Sequence, residues 1–401
     1  MEKLKLVVYK TKEEKSDIRF LSEKEAERAY HYHRSFPQYL ETPLVSLDVL
    51  SKKIGLKKFY VKDESYRFGL NAFKVLGGSY CIANYIAEKL GVDIGELTFE
   101  KIISKKVKDI LGEITFTTAT DGNHGRGIAW TANQIGQKAK VFMPKGSAQE
   151  RLDNILKENA DANICEWNYD ECVRQADKYA RENNGVMVQD TSWEGYETIP
   201  TWIMQGYLTI ARETFQKMKE EESLPTHIFL QAGVGAFATA MTGFFVNVMK
   251  ENLPTIVVVE PHQANCIYRT AKANDGRLYS VKGDLDSIMA GLCCGEPATI
   301  GWPVLSSYVN YFLSVDDQYA SHGMRLLGNP MTGDTKIISG ESGAVTSGVV
   351  HKLMTDSSLK EYKSKIGLNE NSIVLCFSTE GDTDKENYRK IVWEGKYPSC
   401  D

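Results

Sequence analysis

The sequence predicts an α/β fold with mainly parallel, twisted sheets flanked by helices, in one large domain or in two domains of modest size. Its 401 residues are too many for one small core. Short apolar runs alternate with helical patterns through most of the chain, which is typical of parallel sheets buried on both faces. Polar or glycine-rich segments follow several of these runs, where such sheets carry their binding loops.

The individual elements follow from these periodicities, since short apolar runs favour strands and longer amphipathic patterns favour helices. Predicted buried strands include Lys58–Lys62, Ile114–Thr118, Ala139–Met143, Gly185–Gln189, His227–Gln231, Thr255–Glu260, Tyr311–Val315 and Ser372–Phe377. Predicted helices include Arg126–Ile135, Gln149–Asn159, Tyr169–Asn183, Pro200–Met218 and Phe237–Asn252. No linker rich in Pro, Gly or Ser divides the chain, so we expect it to pass between domains more than once.

Composition excludes several classes of partner. The net charge of −5 gives no reason to expect nucleic acid or an anionic membrane. Residues Met1 to Lys15 are rich in Lys and Glu and lack the apolar core of a secretory signal. No apolar run approaches the roughly 20 residues that span a bilayer. We therefore expect a cytoplasmic enzyme that acts on a small molecule.

The eight cysteines favour free thiols over a disulfide framework or a metal site. None forms a C-x-x-C pair, and no Cys/His cluster has the spacing of a zinc site. The sequence therefore predicts no metal. Cys266 and the Cys293–Cys294 pair lie in neighbouring irregular stretches, and a cross-link between them is an alternative hypothesis.

Five loops are predicted to meet at one edge of the sheets, because ligands bind beyond the carboxyl ends of parallel strands. Each loop follows a predicted strand, and together they carry Lys74, Asp121–His124, Asp190, Gly233–Gly235 and Ser378–Thr379. Lys74 and Asp121–His124 also open helices. The sequence thus predicts one site built from distant segments.

The segment Gly233-Val234-Gly235-Ala236-Phe237 lies between an apolar strand and an apolar helix. Glycines let backbone amides turn toward an anion at a helix N-terminus, which indicates a phosphate cradle. The same letters match a dinucleotide fingerprint, and Glu260 ends the next strand near the position of a ribose-binding acid. A nicotinamide-dependent oxidoreductase is therefore an alternative. It leaves Lys74 and Asp121 unexplained, and such fingerprints usually open a domain.

Five runs carry a resemblance to a known family. They are the segments 61–80 around Asn71-Ala72-Phe73-Lys74, 119–127 around Asp121-Gly122-Asn123-His124-Gly125, 189–196 from Gln189-Asp190, 339–344 around Glu341, and 378–384 from Ser378-Thr379. In order and spacing the chain resembles the 2,3-diaminopropionate ammonia-lyases, from about Phe20 to Trp393. These enzymes belong to fold type II of the pyridoxal-phosphate (PLP) enzymes, with threonine dehydratase, cysteine synthase and tryptophan synthase β.

The resemblance implies a set of cofactor contacts. Lys74 would hold PLP as a Schiff base, and PLP would act as an electron sink for the carbanion formed at the α-carbon. Asn123 would bind the 3′-oxygen of the ring. The loop Gly233, Val234, Gly235, Ala236 and Phe237 would bind its phosphate. Either Ser378 or Thr379 would face the pyridine nitrogen, with Ser378 the better match. Glu341 would line the ring, or it is simply a helix-start residue.

The resemblance also implies the reaction and its bases. Asp121 would take the α-proton of the D substrate and Asp190 that of the L substrate, on opposite faces. Asp190 as a strand-end cap is the alternative. The loop amides from Thr120 onward would bind the substrate carboxylate, and His124 either contacts substrate or packs beneath the loop. Elimination of the β-amino group from 2,3-diaminopropionate would then give pyruvate and two ammonia molecules.

Other expectations follow from the same resemblance. A large PLP-binding domain would comprise residues 1–85 and 190–401, and a small domain residues 86–189. A homodimer is expected. A serine or threonine dehydratase is the alternative enzyme, although related dehydratases carry Ser where this chain has Asp121. A non-catalytic PLP-binding protein is a further alternative, which the intact Lys74, Asn123 and glycine loop disfavour.

Overall fold

A computed structural model describes residues 3–398, which contain eleven strands. The strands are β1 (Leu4–Val8), β2 (Leu44–Ser46), β3 (Lys58–Asp63), β4 (Thr115–Ala119), β5 (Lys138–Met143), β6 (Asp161–Ile164), β7 (Val186–Met187), β8 (His227–Gln231), β9 (Thr255–Pro261), β10 (Tyr311–Val315) and β11 (Ile373–Ser378). They form a seven-stranded sheet in the order β1-β10-β9-β8-β11-β3-β2 and a four-stranded sheet in the order β6-β5-β4-β7.

Helices cover both sheets. They are α1 (Glu23–Arg34), α2 (Asp48–Ile54), α3 (Val75–Leu90), α4 (Phe99–Ile102), α5 (Lys105–Leu111), α6 (Asn123–Ile135), α7 (Gln149–Leu156), α8 (Tyr169–Glu182), α9 (Thr198–Glu220), α10 (Ala236–Met249), α11 (Cys266–Ala273), α12 (Gly301–Tyr308), α13 (Asp317–Gly328), α14 (Glu341–Thr355), α15 (Lys360–Ile366) and α16 (Lys385–Val392). Short 3₁₀ turns, such as Glu64–Gly69, connect some of them. Within residues 3–398, no helix combines the length and apolarity needed to cross a membrane.

The predicted α/β class with mainly parallel sheets is confirmed. All eight predicted strands and all five predicted helices are present, with boundaries shifted by a few residues. The sequence analysis missed β1 and β2, which pair antiparallel at the two edges of the large sheet, and β6 at the edge of the small sheet. Edge strands are short and only partly buried, so they lack the continuous apolar run that marks a central parallel strand.

The large sheet separates two apolar cores. Alternate residues of β8 enter different cores, with Ile228 and Leu230 on one side and Phe229 on the other. The first core continues into the small sheet through residues such as Phe116 and Val141, so one apolar cluster joins both sheets. The small sheet comes from residues 115–187, between the segments that form the large sheet. The domain division at residues 85/86 and 189/190 stays a prediction.

A fully buried set of charges lies beneath β3, and we call it the β3 charge cluster: Lys62, Glu64, Arg67 and Glu213. The Lys62 Nζ lies 2.6 Å from Glu213 Oε2, and Arg67 bridges Glu64 and Glu213 at 2.8 and 2.9 Å. These side chains are at most 1% exposed. Each cation faces a carboxylate, as burial of charge requires. The cluster fixes the chain between β3 and the segment that carries Lys74.

Candidate active site

Lys74 ends the loop that follows β3 and is the N-cap residue of α3. The preceding residue is tied to the end of β11, because the Phe73 amide donates to the Thr379 carbonyl at 3.1 Å. Helix α6 lies tightly against the start of α3, since a Cβ on Gly127 would lie only 2.7 Å from the Val75 Cα. This close approach brings the Asp121 loop beside Lys74.

The Lys74 ammonium forms an ion pair with the carboxylate of Asp190, directly beyond β7. Burial alone would raise the pKa of Asp190, but Lys74 and then His124 outweigh it and lower that pKa to about 2. Burial would likewise lower the pKa of Lys74, yet Asp190 raises it well above its ordinary value. In this pair, with 19% and 5% of the side chains exposed, both groups are charged.

Asp121 follows β4 and faces a different cation. Its Oδ2 lies 2.8 Å from Nη1 of Arg151, on α7. Burial raises the pKa of Asp121, and the nearby Arg151 and Lys74 oppose this without cancelling it. The two candidate bases therefore have environments of opposite character, although both lie near Lys74.

Two small cavities meet at Lys74, and a wider one opens beside them. The inner cavity is lined by Phe73, Lys74, Asn123, Asp190, Tyr207, Gln231 to Phe237, Gly291, Leu292, Cys294, Ser342, Thr379 and Glu380. The carboxylate cavity is lined by Lys74, Ala119, Thr120, Asp121, His124, Tyr169, Asp190, Ala290, Gly291, Cys293 and Cys294. The outer cavity of about 620 Å³ includes Asp121, Arg151, Tyr169, Glu341 and Asn387.

The glycine loop forms one wall of the inner cavity between β8 and α10. Gly235 has φ of +101°, a conformation that side chains other than glycine rarely adopt. A Cβ on Gly233 would lie 3.2 Å from the Cys294 Sγ and from the Leu292 Cα. Helix α10 has no side-chain cap, and the first amides of a helix lack intrahelical acceptors. The loop can therefore present backbone amides to a phosphate.

Three buried polar atoms around the inner cavity have no hydrogen-bond partner among residues 3–398. They are the Tyr207 hydroxyl, the Gln231 Oε1 and the Ser342 hydroxyl. Buried polar atoms are almost always paired in folded proteins. Together with the glycine loop and the Lys74 amine, they fit a phosphorylated polar ring, and the residues present therefore fit PLP.

Asn123 and Thr379 line the inner cavity, but Ser378 does not. Asn123 Nδ2 donates to Glu380 Oε2 at 2.6 Å, and Gln231 Nε2 donates to Thr379 Oγ1 at 2.9 Å. The Ser378 hydroxyl donates to the Ser339 hydroxyl at 2.8 Å. The structure therefore favours Thr379 over Ser378, the reverse of the preference drawn from the sequence.

Glu341 begins α14 and lines the outer cavity, whereas its neighbour Ser342 lines the inner one. Its Oε1 accepts from Asn387 Nδ2 at 2.5 Å. Burial, and then Glu380, raise the pKa of Glu341 to about 7. Ser342 rather than Glu341 thus borders the inner cavity, and a place for Glu341 beside the ring stays a prediction.

Thr120 and His124 lie on the wall of the carboxylate cavity. The Thr120 amide donates to the Phe142 carbonyl at 3.0 Å, and the Gly122 amide donates to the Thr120 hydroxyl at 2.9 Å. Binding of a substrate carboxylate by the remaining amides of the loop stays a prediction. One ring nitrogen of His124, Nε2, lies 2.9 Å from the Val188 carbonyl, and Nδ1 is buried without a partner within the described chain. Burial lowers the pKa of His124. His124 therefore packs beneath the loop and also borders the cavity, and its contact with substrate stays a prediction.

Two alternatives from the sequence do not fit the structure. Glu260 is fully buried and caps α11, since its carboxylate accepts from the amides of Ile267 and Tyr268 at 2.9 and 2.6 Å. It is therefore not free to bind a ribose, which removes the support for a dinucleotide site. Cys266, Cys293 and Cys294 are free thiols, so the hypothesised cross-link is absent. Cys400 lies outside the described residues.

Several site residues were missed by the sequence analysis. Glu380 and Ser342 lie within the segments 378–384 and 339–344, which carry the family resemblance. The need of the Asn123 side chain for a hydrogen-bonding partner was a signal that could have identified Glu380. Arg151, Tyr169 and Tyr207 lie on helices whose periodicity shows only amphipathic packing. Nothing local marks them, because only the folded chain brings them to the cavities.

Comparison with known proteins agrees with this site. The family model for the pyridoxal-phosphate dependent enzymes matches residues 36–367, and the chain belongs to this family. Diaminopropionate ammonia-lyase from Salmonella typhimurium is 49% identical over 367 residues, which is 91% of each chain. These two matches place the chain with the diaminopropionate ammonia-lyases within the family.

Solved structures give the same result. The crystal structure of diaminopropionate ammonia-lyase from Escherichia coli in complex with D-serine superposes with a TM-score of 0.93, at 45% identity over 99% of each chain. The same enzyme with an aminoacrylate-PLP azomethine reaction intermediate gives a TM-score of 0.90, at 45% identity over 98% of each chain. These likenesses confirm the expected fold type II.

Proposed function

We propose that this chain catalyses the α,β-elimination of 2,3-diaminopropionate, as D and L isomers, to pyruvate and two ammonia molecules. One observation carries the proposal: Lys74, Asp121 and Asp190 line the same cavity. A dehydratase acting on serine or threonine is the alternative. The carboxylate at position 121 disfavours it, because the related dehydratases carry Ser at that position.

PLP, when bound, supplies an electron sink that stabilises negative charge at the substrate α-carbon. Lys74 would hold it covalently, and the amides of the Gly233–Phe237 loop would hold its phosphate. Asn123 and Thr379 would bind polar atoms of the ring. The Thr379 hydroxyl accepts from Gln231 and so keeps its own proton for donation.

The two carboxylates would divide the proton transfer by substrate handedness. We assign the α-proton of the D isomer to Asp121 and that of the L isomer to Asp190. While the Lys74 amine is free it pairs with Asp190 and favours its ionised form, and Asp121 lies against Arg151. A general base has to be ionised and within hydrogen-bonding reach of the proton that it accepts. A carboxylate can also pair with the β-ammonium group of the substrate.

Burial of these groups supports a site that excludes water during the reaction. The side chains of Asp190 and Arg151 are only 5% and 6% exposed, and those of Lys74 and Asp121 are 19% and 24% exposed. In such surroundings charge interactions are stronger than in water, and side reactions with solvent are suppressed. Elimination needs water only at the end, when the released aminoacrylate is hydrolysed to pyruvate and the second ammonia.

The test is pyruvate release from D- and L-2,3-diaminopropionate, with D- and L-serine and L-threonine in parallel. Wild type, Asp121→Asn and Asp190→Asn are compared. We expect both diaminopropionate isomers to react, with Asp121→Asn losing D activity far more than L activity and Asp190→Asn the reverse. Reaction only with L-serine or L-threonine, and a near-normal Asp121→Asn, would identify a dehydratase in which Asp121 is a loop cap.

We also propose that the protein forms a homodimer and is a cytoplasmic enzyme of amino-acid degradation. We further propose that its chain divides into a large domain (1–85, 190–401) and a small domain (86–189). The resemblance and the unremarkable net charge support these assignments. Light scattering on the purified protein tests the first of them, since a dimer would have a mass of about twice 45.0 kDa.

A further inference from the structure

We propose that Arg151 is a specificity-determining residue that orients Asp121 and keeps it charged, and that reaction of the D isomer depends on it while reaction of the L isomer does not. This inference rests on the proposed function, because it assigns a partner to one of its two bases. Arg151 acts through Asp121, so it is a positioning residue.

The contact between Arg151 and Asp121 is short, and the Arg151 side chain is buried. Its side chain is 6% exposed and its Nη1 reaches the Asp121 Oδ2 at 2.8 Å. Arg151 comes from α7, thirty residues further along the chain, and lines the outer cavity, which Lys74 does not border. A charge-assisted bond from a planar guanidinium fixes the direction of a carboxylate as well as its charge.

The loop backbone is shaped around the Arg151 side chain. Gly122, directly after Asp121, has φ of +152°, and a Cβ there would lie 2.9 Å from the Arg151 Cδ. The aliphatic stem of Arg151 thus occupies the space that a larger residue at position 122 would need. Asp121 and Arg151 are therefore held together by packing as well as by charge.

Charges facing Asp121 come from several elements. Burial raises its pKa, Arg151 and Lys74 lower it, and Glu380 and Asp190 raise it. His124, Tyr169 and Cys293 also border its cavity. Lys74 pairs with Asp190 when its amine is free and would be bound to PLP in the resting enzyme, so Arg151 is the cation in direct contact with Asp121. Asp190 owes its own low pKa to Lys74 and His124. Loss of Arg151 is therefore expected to disturb one base and spare the other.

The experiment measures kcat/KM for D- and L-2,3-diaminopropionate as a function of pH in wild type, Arg151→Met and Arg151→Lys. For the D isomer we expect Arg151→Met to lower kcat/KM about a hundredfold, the scale of a reacting group displaced by about 1 Å. The acid limb of the D profile should move to higher pH, because a base with a raised pKa protonates earlier on acidification. The L isomer should change less than about threefold, and Arg151→Lys should retain part of the D activity.

Equal losses on both isomers would overturn the inference, since they would indicate a general structural role or a shared contact with the substrate carboxylate. Unchanged D activity would overturn it as well. Arg126→Met is the matched control, because Arg126 is a partly buried arginine whose Nε lies 3.7 Å from Glu158 Oε1. Any effect of that variant should fall on both isomers alike.

A second readout separates this inference from the proposed function. The Asp121 carboxyl can be titrated by carbon NMR with labelled aspartate, its signal being identified by its absence in Asp121→Asn. We expect a higher pKa in Arg151→Met than in wild type, and an unchanged value would overturn the inference. If wild type released no pyruvate from either isomer, the proposed function would fail, and the titration would still test the role of Arg151.

Discussion

Two sets of buried charges lie at opposite ends of the segment from β3 to α3, and they differ in what surrounds them. The β3 charge cluster is closed: its cations and carboxylates face one another, and at most 1% of each side chain is exposed. The set at Lys74 is open, because Lys74, Asp121 and Asp190 all border cavities. Both sets contain ion pairs between side chains, so the presence of ion pairs does not distinguish the two sets.

The difference shows that burial of charge has two uses in this chain. In the closed cluster every charge is paired within the protein. The close, well-oriented ion pairs offset the free-energy cost of removing these charges from water. In the open set the same compensation keeps groups ionised beside a cavity where a ligand can contact them. The contrast therefore predicts that changes in the first affect stability and changes in the second affect chemistry.

The largest effect is expected at the open set. Lys74→Ala should lower pyruvate release from both isomers by about 10³-fold or more, because the residue that would hold the cofactor is lost. The variant should also lose fixation of PLP by borohydride, which mass spectrometry of the reduced protein measures. A modified peptide that persists without Lys74 would show that another lysine holds the cofactor.

The closed cluster should respond in the opposite way. Glu213→Gln is expected to lower the free energy of unfolding by about 3 kcal/mol or more, because it leaves the charges of Arg67 and Lys62 without a full partner. Folded protein should keep most of its kcat. Urea unfolding measures the effect.

Glu27→Gln, on helix α1, is the control, because it removes a carboxylate from an exposed ion pair instead of a buried one. Glu27 pairs with Arg212 at 2.6 Å, and 48% of its side chain is exposed. Exposed pairs of this kind contribute within about 1 kcal/mol. Equal effects of the two changes would contradict the structural role given to the β3 charge cluster.

A smaller difference should appear between the two carboxylates of the open set in wild type. With the Lys74 amine free, as it would be once the substrate has replaced it on the cofactor, the pKa of Asp190 is lowered to about 2, whereas that of Asp121 is raised by burial. A base loses activity as the pH falls through its pKa, so kcat, which reports the substrate complex, should decline for the D isomer at a higher pH than for the L isomer. Parallel pH profiles measure this order. Coincident acid limbs would mean that one group serves both isomers.

The smallest effects concern two neighbouring hydroxyls. Thr379→Val should lower kcat about tenfold, the equivalent of one hydrogen bond of ~1.4 kcal/mol to a bound ring. Ser378→Ala should leave kcat within about twofold, since the Ser378 hydroxyl is bonded to Ser339 outside the inner cavity. Steady-state kinetics with saturating PLP compare the two. The reverse order would restore Ser378 as the ring contact.

Much of the fold could be predicted because its signals are local. The strand His227–Gln231 and the helix that follows it are continuous apolar segments separated by glycines, and both were found. The antiparallel edge strands were missed, because β2 has three residues of intermediate burial and no apolar run. Resemblance to a family then supplied the candidate site residues, but it could not decide between adjacent ones such as Ser378 and Thr379.

By itself, the sequence determined the α/β class, the positions of the central strands along the chain and the loops that carry Lys74, Asp121 and Asp190. These follow from periodicity and from turn and cap residues, which act over a few positions. Only the tertiary structure decided that Asp190 faces Lys74, that Arg151 faces Asp121 and that Thr379 rather than Ser378 lines the inner cavity. Each of these depends on close packing between distant segments, such as Gly127 on Val75 and Gly122 beneath Arg151, and such contacts leave no periodic signal in the chain.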